Sequence, residues 1–136
     1  MPNCLEQFLS FITVNHPEVI GQINWTQLSQ SNNISFDFIQ YNLALPWDWA
    51  NLSINPMMTW NIIKDNPDLP WVWNFVTLNP NVTWDIIQAN PEYPWSPTYV
   101  SSNNSVTWQI VQDNPDYPWN FQGIYNVLFQ VPCSPE

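Results

Sequence analysis

A 24-residue period runs through this chain and constrains its fold more than any other feature. Residues 79–102 read Asn-Pro-Asn-Val-Thr-Trp-Asp-Ile-Ile-Gln-Ala-Asn-Pro-Glu-Tyr-Pro-Trp-Ser-Pro-Thr-Tyr-Val-Ser-Ser, and residues 55–78 and 103–126 repeat them. Trp60, Trp84 and Trp108 share one column with Phe36. Trp47, Trp71, Trp95 and Trp119 share a second, each preceded by Pro. Ile62, Ile86 and Ile110 continue from Phe38, and Asn66, Asn90 and Asn114 from Asn42. Leu28, Leu52, Val76, Val100 and Ile124 form a fifth column. Residues 31–54 are thus a diverged repeat. Residues 9–30 are a poorer one, with a longer loop expected before Trp25. Self-similarity at a period of this size marks a stacked repeat architecture, in which no unit buries its apolar face alone.

Each unit reads as two short helices. Ser35, Thr59, Thr83 and Thr107 are placed to cap the first, which the Asn-Pro step ends after about seven residues because the residue before Pro avoids the α region. Pro94 and its equivalents suit the first position of a second helix, where the missing N–H costs no bond. Helices this short are unstable alone in water, so stacking must hold them. The ten Trp supply the apolar area. Each can bury roughly 150–250 Å², an upper bound of about 4–6 kcal/mol. The expected fold is an all-α solenoid of about five short-helix repeats in a single domain over 1–136. Its repeats fall at 9–30, 31–54, 55–78, 79–102 and 103–126, with a C-terminal cap over 122–136. It would be roughly 45–50 Å long if layers sit 9–10 Å apart.

Eleven acidic residues face one cation, Lys64, for a net charge of −10. Nucleic acid and anionic membrane surfaces are therefore disfavoured partners. No run of about 20 apolar residues reads as a membrane span. The first residues, Met-Pro-Asn-Cys-Leu-Glu, lack a basic stretch, so secretion is not expected and the five Asn-x-Ser/Thr sites (Asn24, Asn33, Asn51, Asn81, Asn103) carry little weight. Cys4 and Cys133 stand at opposite ends of a stack and are expected as free thiols in a reducing compartment.

The period, the Asn-Pro-Asn turn and the Thr-capped helix resemble the variant leucine-rich repeats over residues 32–126, departing from them at the Trp columns. Residues 55–71, 79–95 and 103–119 follow Asn-Pro-x-Ile/Val-Thr-Trp-x-Ile-Ile-x-x-Asn-Pro-Asp-x-Pro-Trp almost letter for letter. That pattern is similar to a family of uncharacterised repeats in proteins of large DNA viruses. The resemblance implies a viral source, with the protein in the cytoplasm of the infected host cell or in the virion. It implies no activity.

No nucleophile motif, phosphate loop or metal spacing is present, so no catalytic, cofactor or metal residue is assigned. His16, the lone histidine, has no partner motif. The Trp columns read as interior stacking, and the Asn66/Asn90/Asn114 column as loop satisfaction with bonds to the same residue one layer away. Positions that vary between layers point instead to a binding face. Asp68, Glu92 and Asp116 form an acidic stripe beside Leu69, Tyr93 and Tyr117. Trp73 has Trp49, Pro97 and Phe121 as counterparts. Phe75 and Tyr99 share a column with Asn51 and Gly123. Large apolar groups that the repeat does not require mark either an interface or local core. The expected function is a non-enzymatic repeat scaffold that binds a protein bearing a basic patch, or itself, in a viral structural or host-factor-binding role. The alternative is a carbohydrate-binding repeat using exposed Trp.

Overall fold

The computed structural model describes residues 2–130. The protein is all-α, an architecture of repeated short helices with no strand among the described residues. It forms two compact units, one ending at Trp71 and one beginning at Val72.

The first unit holds α1 (Cys4–Asn15), a 3₁₀ turn (Pro17–Gln22), α2 (Trp25–Leu28), α3 (Phe36–Tyr41), α4 (Trp49–Ile54) and α5 (Trp60–Asp65). The second holds α6 (Trp73–Val76), α7 (Trp84–Ala89), α8 (Pro97–Val100), α9 (Trp108–Asp113) and α10 (Phe121–Gln130). The caps fall where the sequence puts them. The hydroxyls of Ser35, Thr59, Thr83 and Thr107 accept from the backbone N–H of Phe38, Ile62, Ile86 and Ile110.

Three expectations change. The second helix begins three residues after Pro94 and its equivalents, at Trp49, Trp73, Pro97 and Phe121. The intervening Trp is held in a turn: Trp47, Trp71, Trp95 and Trp119 each donate their backbone N–H to the residue two before, at 2.8 Å. The first repeat is not simply a longer loop. Its helix starts at Cys4, capped by Asn3 and Glu6 together, and the segment before Trp25 is the 3₁₀ turn. At the other end, residues 122–130 of the expected cap belong to α10, a lengthened second helix whose Phe121, Tyr125 and Phe129 are exposed, and the rest of that cap lies outside the described residues.

The Asn-Pro-x-x-Pro-Trp signature is a device for ending a helix. The last turn of any helix leaves carbonyls without partners. Asn42, Asn66, Asn90 and Asn114 donate Nδ2 back to the carbonyl four residues earlier, at 2.7–2.8 Å. Their own carbonyls accept the indole N–H of Trp47, Trp71, Trp95 and Trp119, at 2.7–2.9 Å. This column therefore bonds along its own repeat, not to the same residue one layer away. Asn42 adopts the same backbone as Asn66 although Leu43 follows it in place of Pro. The hydrogen bonds, and not proline alone, set the geometry.

Other residues join the layers. Asn55 is buried and donates Nδ2 to the carbonyls of Ser29 and Ser31. In the second unit buried Asn103 does the same to Thr77 and Val82, at 2.6 and 2.7 Å. The hydroxyls of Ser29 and Ser101 are buried and accept the backbone N–H of Asp48 and Asn120, one layer on. In the first unit Glu6, also buried, accepts from both the N–H and the hydroxyl of Ser35, which fastens α1 to α3. The core of the first unit includes Leu9, Ile39, Leu52 and Ile63, and that of the second Val76, Ile87, Val100 and Val111; the column of Ile62, Ile86 and Ile110 is only half-buried.

Candidate functional site

The two Trp columns differ in what they do. Trp47, Trp71 and Trp119 are buried and Trp95 half-buried, each tied to a helix end through its indole. The column of Trp60, Trp84 and Trp108 is not a uniform ladder. Trp84 is 6% exposed, Trp60 is half-buried and Trp108 is 42% exposed. Trp84 is buried because Tyr117 and Trp119 close on it, with ring centroids 5.1 and 5.0 Å away.

The varying position around Trp73 is explained by packing. Trp25 meets Trp47 edge-on at 5.2 Å, Trp49 meets Trp71 at 5.3 Å, and Trp73 meets Trp95 at 5.5 Å. In each of these layers an indole from the second helix closes against the Trp 22 residues later. Pro97 breaks the series: it has no indole to offer Trp119.

A cleft of about 660 Å³ lies beside Pro97, within the second unit. Tyr93, Trp95 and Tyr117 line it, together with Trp84. Asp113 and Asp116, both exposed, contribute carboxylates, and Gln88 and Asn114 contribute amides. Gln88 donates to Asn114 at 3.4 Å, and Asp113 accepts from Gln109 at 2.9 Å. Burial pushes the Tyr117 phenol above its ordinary value of 10.0.

The structure thus gathers part of the sequence-derived set. Tyr93, Asp116 and Tyr117 share the cleft, and Trp73 stacks on Tyr93 behind it, with centroids 5.0 Å apart and rings 26° from parallel. Glu92 is exposed next to Tyr93. Asp68 and Leu69 belong to the first unit, where Asp68 is exposed and Leu69 half-buried. Phe75 is exposed and Tyr99 half-buried; neither lines the cleft. Sequence reasoning missed Asp113, Trp95 and Pro97 as lining residues. The signal was present in Pro97, the one small residue in a column of Trp49, Trp73 and Phe121.

A second cleft, of about 490 Å³, lies in the first unit between α1 and α3, around Glu6, Ser35 and Asp37. Glu6 is already engaged by Ser35 and Asn3. The first unit also carries a half-buried Asp48. Burial would raise its carboxyl, but hydrogen bonds from the Asn51 side chain and backbone, the Thr26 hydroxyl and the Ala50 backbone outweigh that and hold it below 3.8. His16 sits at the end of α1, 3.2 Å from Glu18 and exposed. Cys4 is exposed; Cys133 lies outside the described residues. Asn103 is closed to modification in the folded state, its side chain being buried and bonded. Among the described residues no helix is long and apolar enough to cross a membrane, and no three His, Cys, Asp or Glu side chains converge as a metal site. No family model, curated protein or solved structure matches this chain.

Proposed function

We propose that the protein is a non-enzymatic repeat scaffold for protein–protein interaction, and that its binding surface is the acidic, aromatic cleft of the second unit. The supporting observation is that Tyr93 and Tyr117, equivalent residues of successive repeats, wall one cleft with Asp116 beside them, in a chain of net charge −10. Carboxylates speed the encounter with a basic surface, while aromatic anchors in a desolvated pocket carry the affinity. The viral resemblance of the repeat sets the context: a virion component or a host-factor-binding protein of the infected cytoplasm.

Photo-crosslinking from position 92, followed by mass spectrometry, identifies the partner. Its kinetics then test the reading. Changing Glu92→Gln and Asp116→Asn together lowers the on-rate roughly three- to tenfold at low salt and flattens its salt dependence. Tyr93→Ala mainly raises the off-rate. Unchanged kinetics in the double variant would reduce these acids to a solvated edge.

The sugar-binding reading draws on one feature, the pairing of aromatic walls with the Gln88 and Asn114 amides in the same cleft. A glycan array read alongside Trp emission tests it. Saturable quenching by a glycan would put it in place of the protein-partner reading.

A further inference from the structure

The cleft has a more specific occupant than a basic surface in general, an inference that rests on the interaction reading above. In the layer before it, Trp73 lies nearly flat on Tyr93, 5.0 Å away at 26°, and edge-on to Trp95. One period later Pro97 stands where Trp73 stood, and Tyr117 and Trp119 stand where Tyr93 and Trp95 did. A pyrrolidine ring has neither the reach nor the flat π surface to cover Tyr117. The Tyr117 ring therefore borders the cleft. It is held rigidly: Trp84 meets it edge-on at 89°, and Trp119 lies 4.6 Å away. The cleft beside Pro97 is bordered by aromatic rings and lined by the exposed carboxylates of Asp113 and Asp116.

We infer that this cleft receives the guanidinium of an arginine side chain from a partner protein. A guanidinium is planar, so it stacks on Tyr117 as Trp73 stacks on Tyr93, and its forked N–H groups suit a carboxylate such as Asp116. An ammonium has the charge without the plane. A partner's aromatic ring has the plane without the charge, and leaves two carboxylates beside an apolar guest.

The test titrates the full chain with blocked nine-residue Gly/Ser peptides that differ only at the central residue: arginine, lysine, glutamine or tryptophan. Tyr117 and the Trp95 indole N–H are followed by NMR. The arginine peptide shifts both in a saturable way, the lysine peptide binds about tenfold more weakly, and the other two bind more weakly still. Pro97→Trp, which restores the repeat's own residue, abolishes the arginine shifts while circular dichroism and melting show an intact fold. Pro97→Phe serves the same purpose if the first variant folds poorly. Asp116→Asn weakens binding about three- to tenfold.

Equal affinity for lysine and arginine overturns the stacking argument. Arginine shifts that survive both cleft-filling changes put the site elsewhere, and tighter binding of the tryptophan peptide makes the occupant aromatic. If the arginine peptide fails while the crosslinked partner still responds to the Glu92/Asp116 double change, this inference falls and the scaffold reading stands. If the partner ignores that change as well, both fall.

Discussion

Trp49 and Pro97 occupy the same position of the repeat, one in each unit, and their surroundings diverge. Around Trp49 the layer is closed, its indole edge-on to Trp71. Around Pro97 no indole is offered from that position: Trp84 packs on Tyr117 and Trp119 instead, and a cleft lies beside Pro97. The frame is otherwise shared. Asn55 and Asn103 reach the previous layer in the same way, and Ser29 and Ser101 receive the next one in the same way. A change of residue at one packing position can therefore accompany a cleft while the hydrogen-bonded frame is kept.

The largest effect separates buried from exposed members of one Trp column. Trp84→Ala is expected to cost about 3–5 kcal/mol, because Tyr117 and Trp119 close over that indole and a cavity remains. Trp108→Ala, at the same place one repeat later, is expected to cost clearly less, about 1–2 kcal/mol, since 42% of that residue is exposed. Urea denaturation of the two variants measures both. Equal costs would mean that the period, and not local packing, decides what each layer contributes.

That contrast also marks how far the sequence could be read. Thr59, Thr83 and Thr107 were legible as caps, and Asn-Pro as a stop, because they act through bonds to residues three or four positions away. The role of Trp71 in taking up the Asn66 carbonyl was not legible, although it sits only five residues away. Nothing in the spacing says that an indole folds back instead of stacking outward. Identity along a column was also mistaken for burial. Trp60, Trp84 and Trp108 share a register but differ in neighbours, since burial depends on what the adjacent layer places above them. Of the acidic and aromatic candidates, only Tyr93, Asp116 and Tyr117 line the cleft. Their meeting there is not legible in the spacing, because it depends on where the chain turns, and the second helix starts three residues after Pro94.

A middle-sized effect tests the frame. Asn103→Ala leaves the buried carbonyls of Thr77 and Val82 without their donor and is expected to cost about 2–3 kcal/mol; Asn55→Ala should cost a similar amount in the first unit. Native-state hydrogen exchange can read each change within its own unit. A large cost in one unit and none in the other would show that the frame is not shared.

A smaller effect tests the gap itself. Pro97→Trp is expected to stabilise the second unit by about 0.5–1.5 kcal/mol, the worth of an aromatic pair beyond its area. Thermal melting checks the sign. A loss of stability would mean that Pro97 is fitted to its site and that the cleft is not a missing indole.

The smallest concerns acid. Asp48 caps α4 in the first unit, and Asn120 stands at the same repeat position in the second. The Asp48 carboxyl is held below 3.8 in the fold. Its contribution is therefore present above that ordinary value and is lost as pH falls through the depressed one. Asp48→Asn should reduce the acid sensitivity of the first unit, and hydrogen exchange at α4 followed from pH 5 to pH 2 would detect it. Asn120 carries no such dependence.

Tyr117 is half-buried and borders the cleft beside Pro97. Photochemically induced nuclear polarisation reports which tyrosine rings meet solvent-borne dye, with exposed Tyr41 and Tyr125 as internal standards. The expected result is a Tyr117 signal in the native chain that disappears in Pro97→Trp, while Tyr41 and Tyr125 are unchanged and the Tyr117 phenol titrates still higher than it does now. A Tyr117 signal that persists at full strength beside the new indole would contradict it.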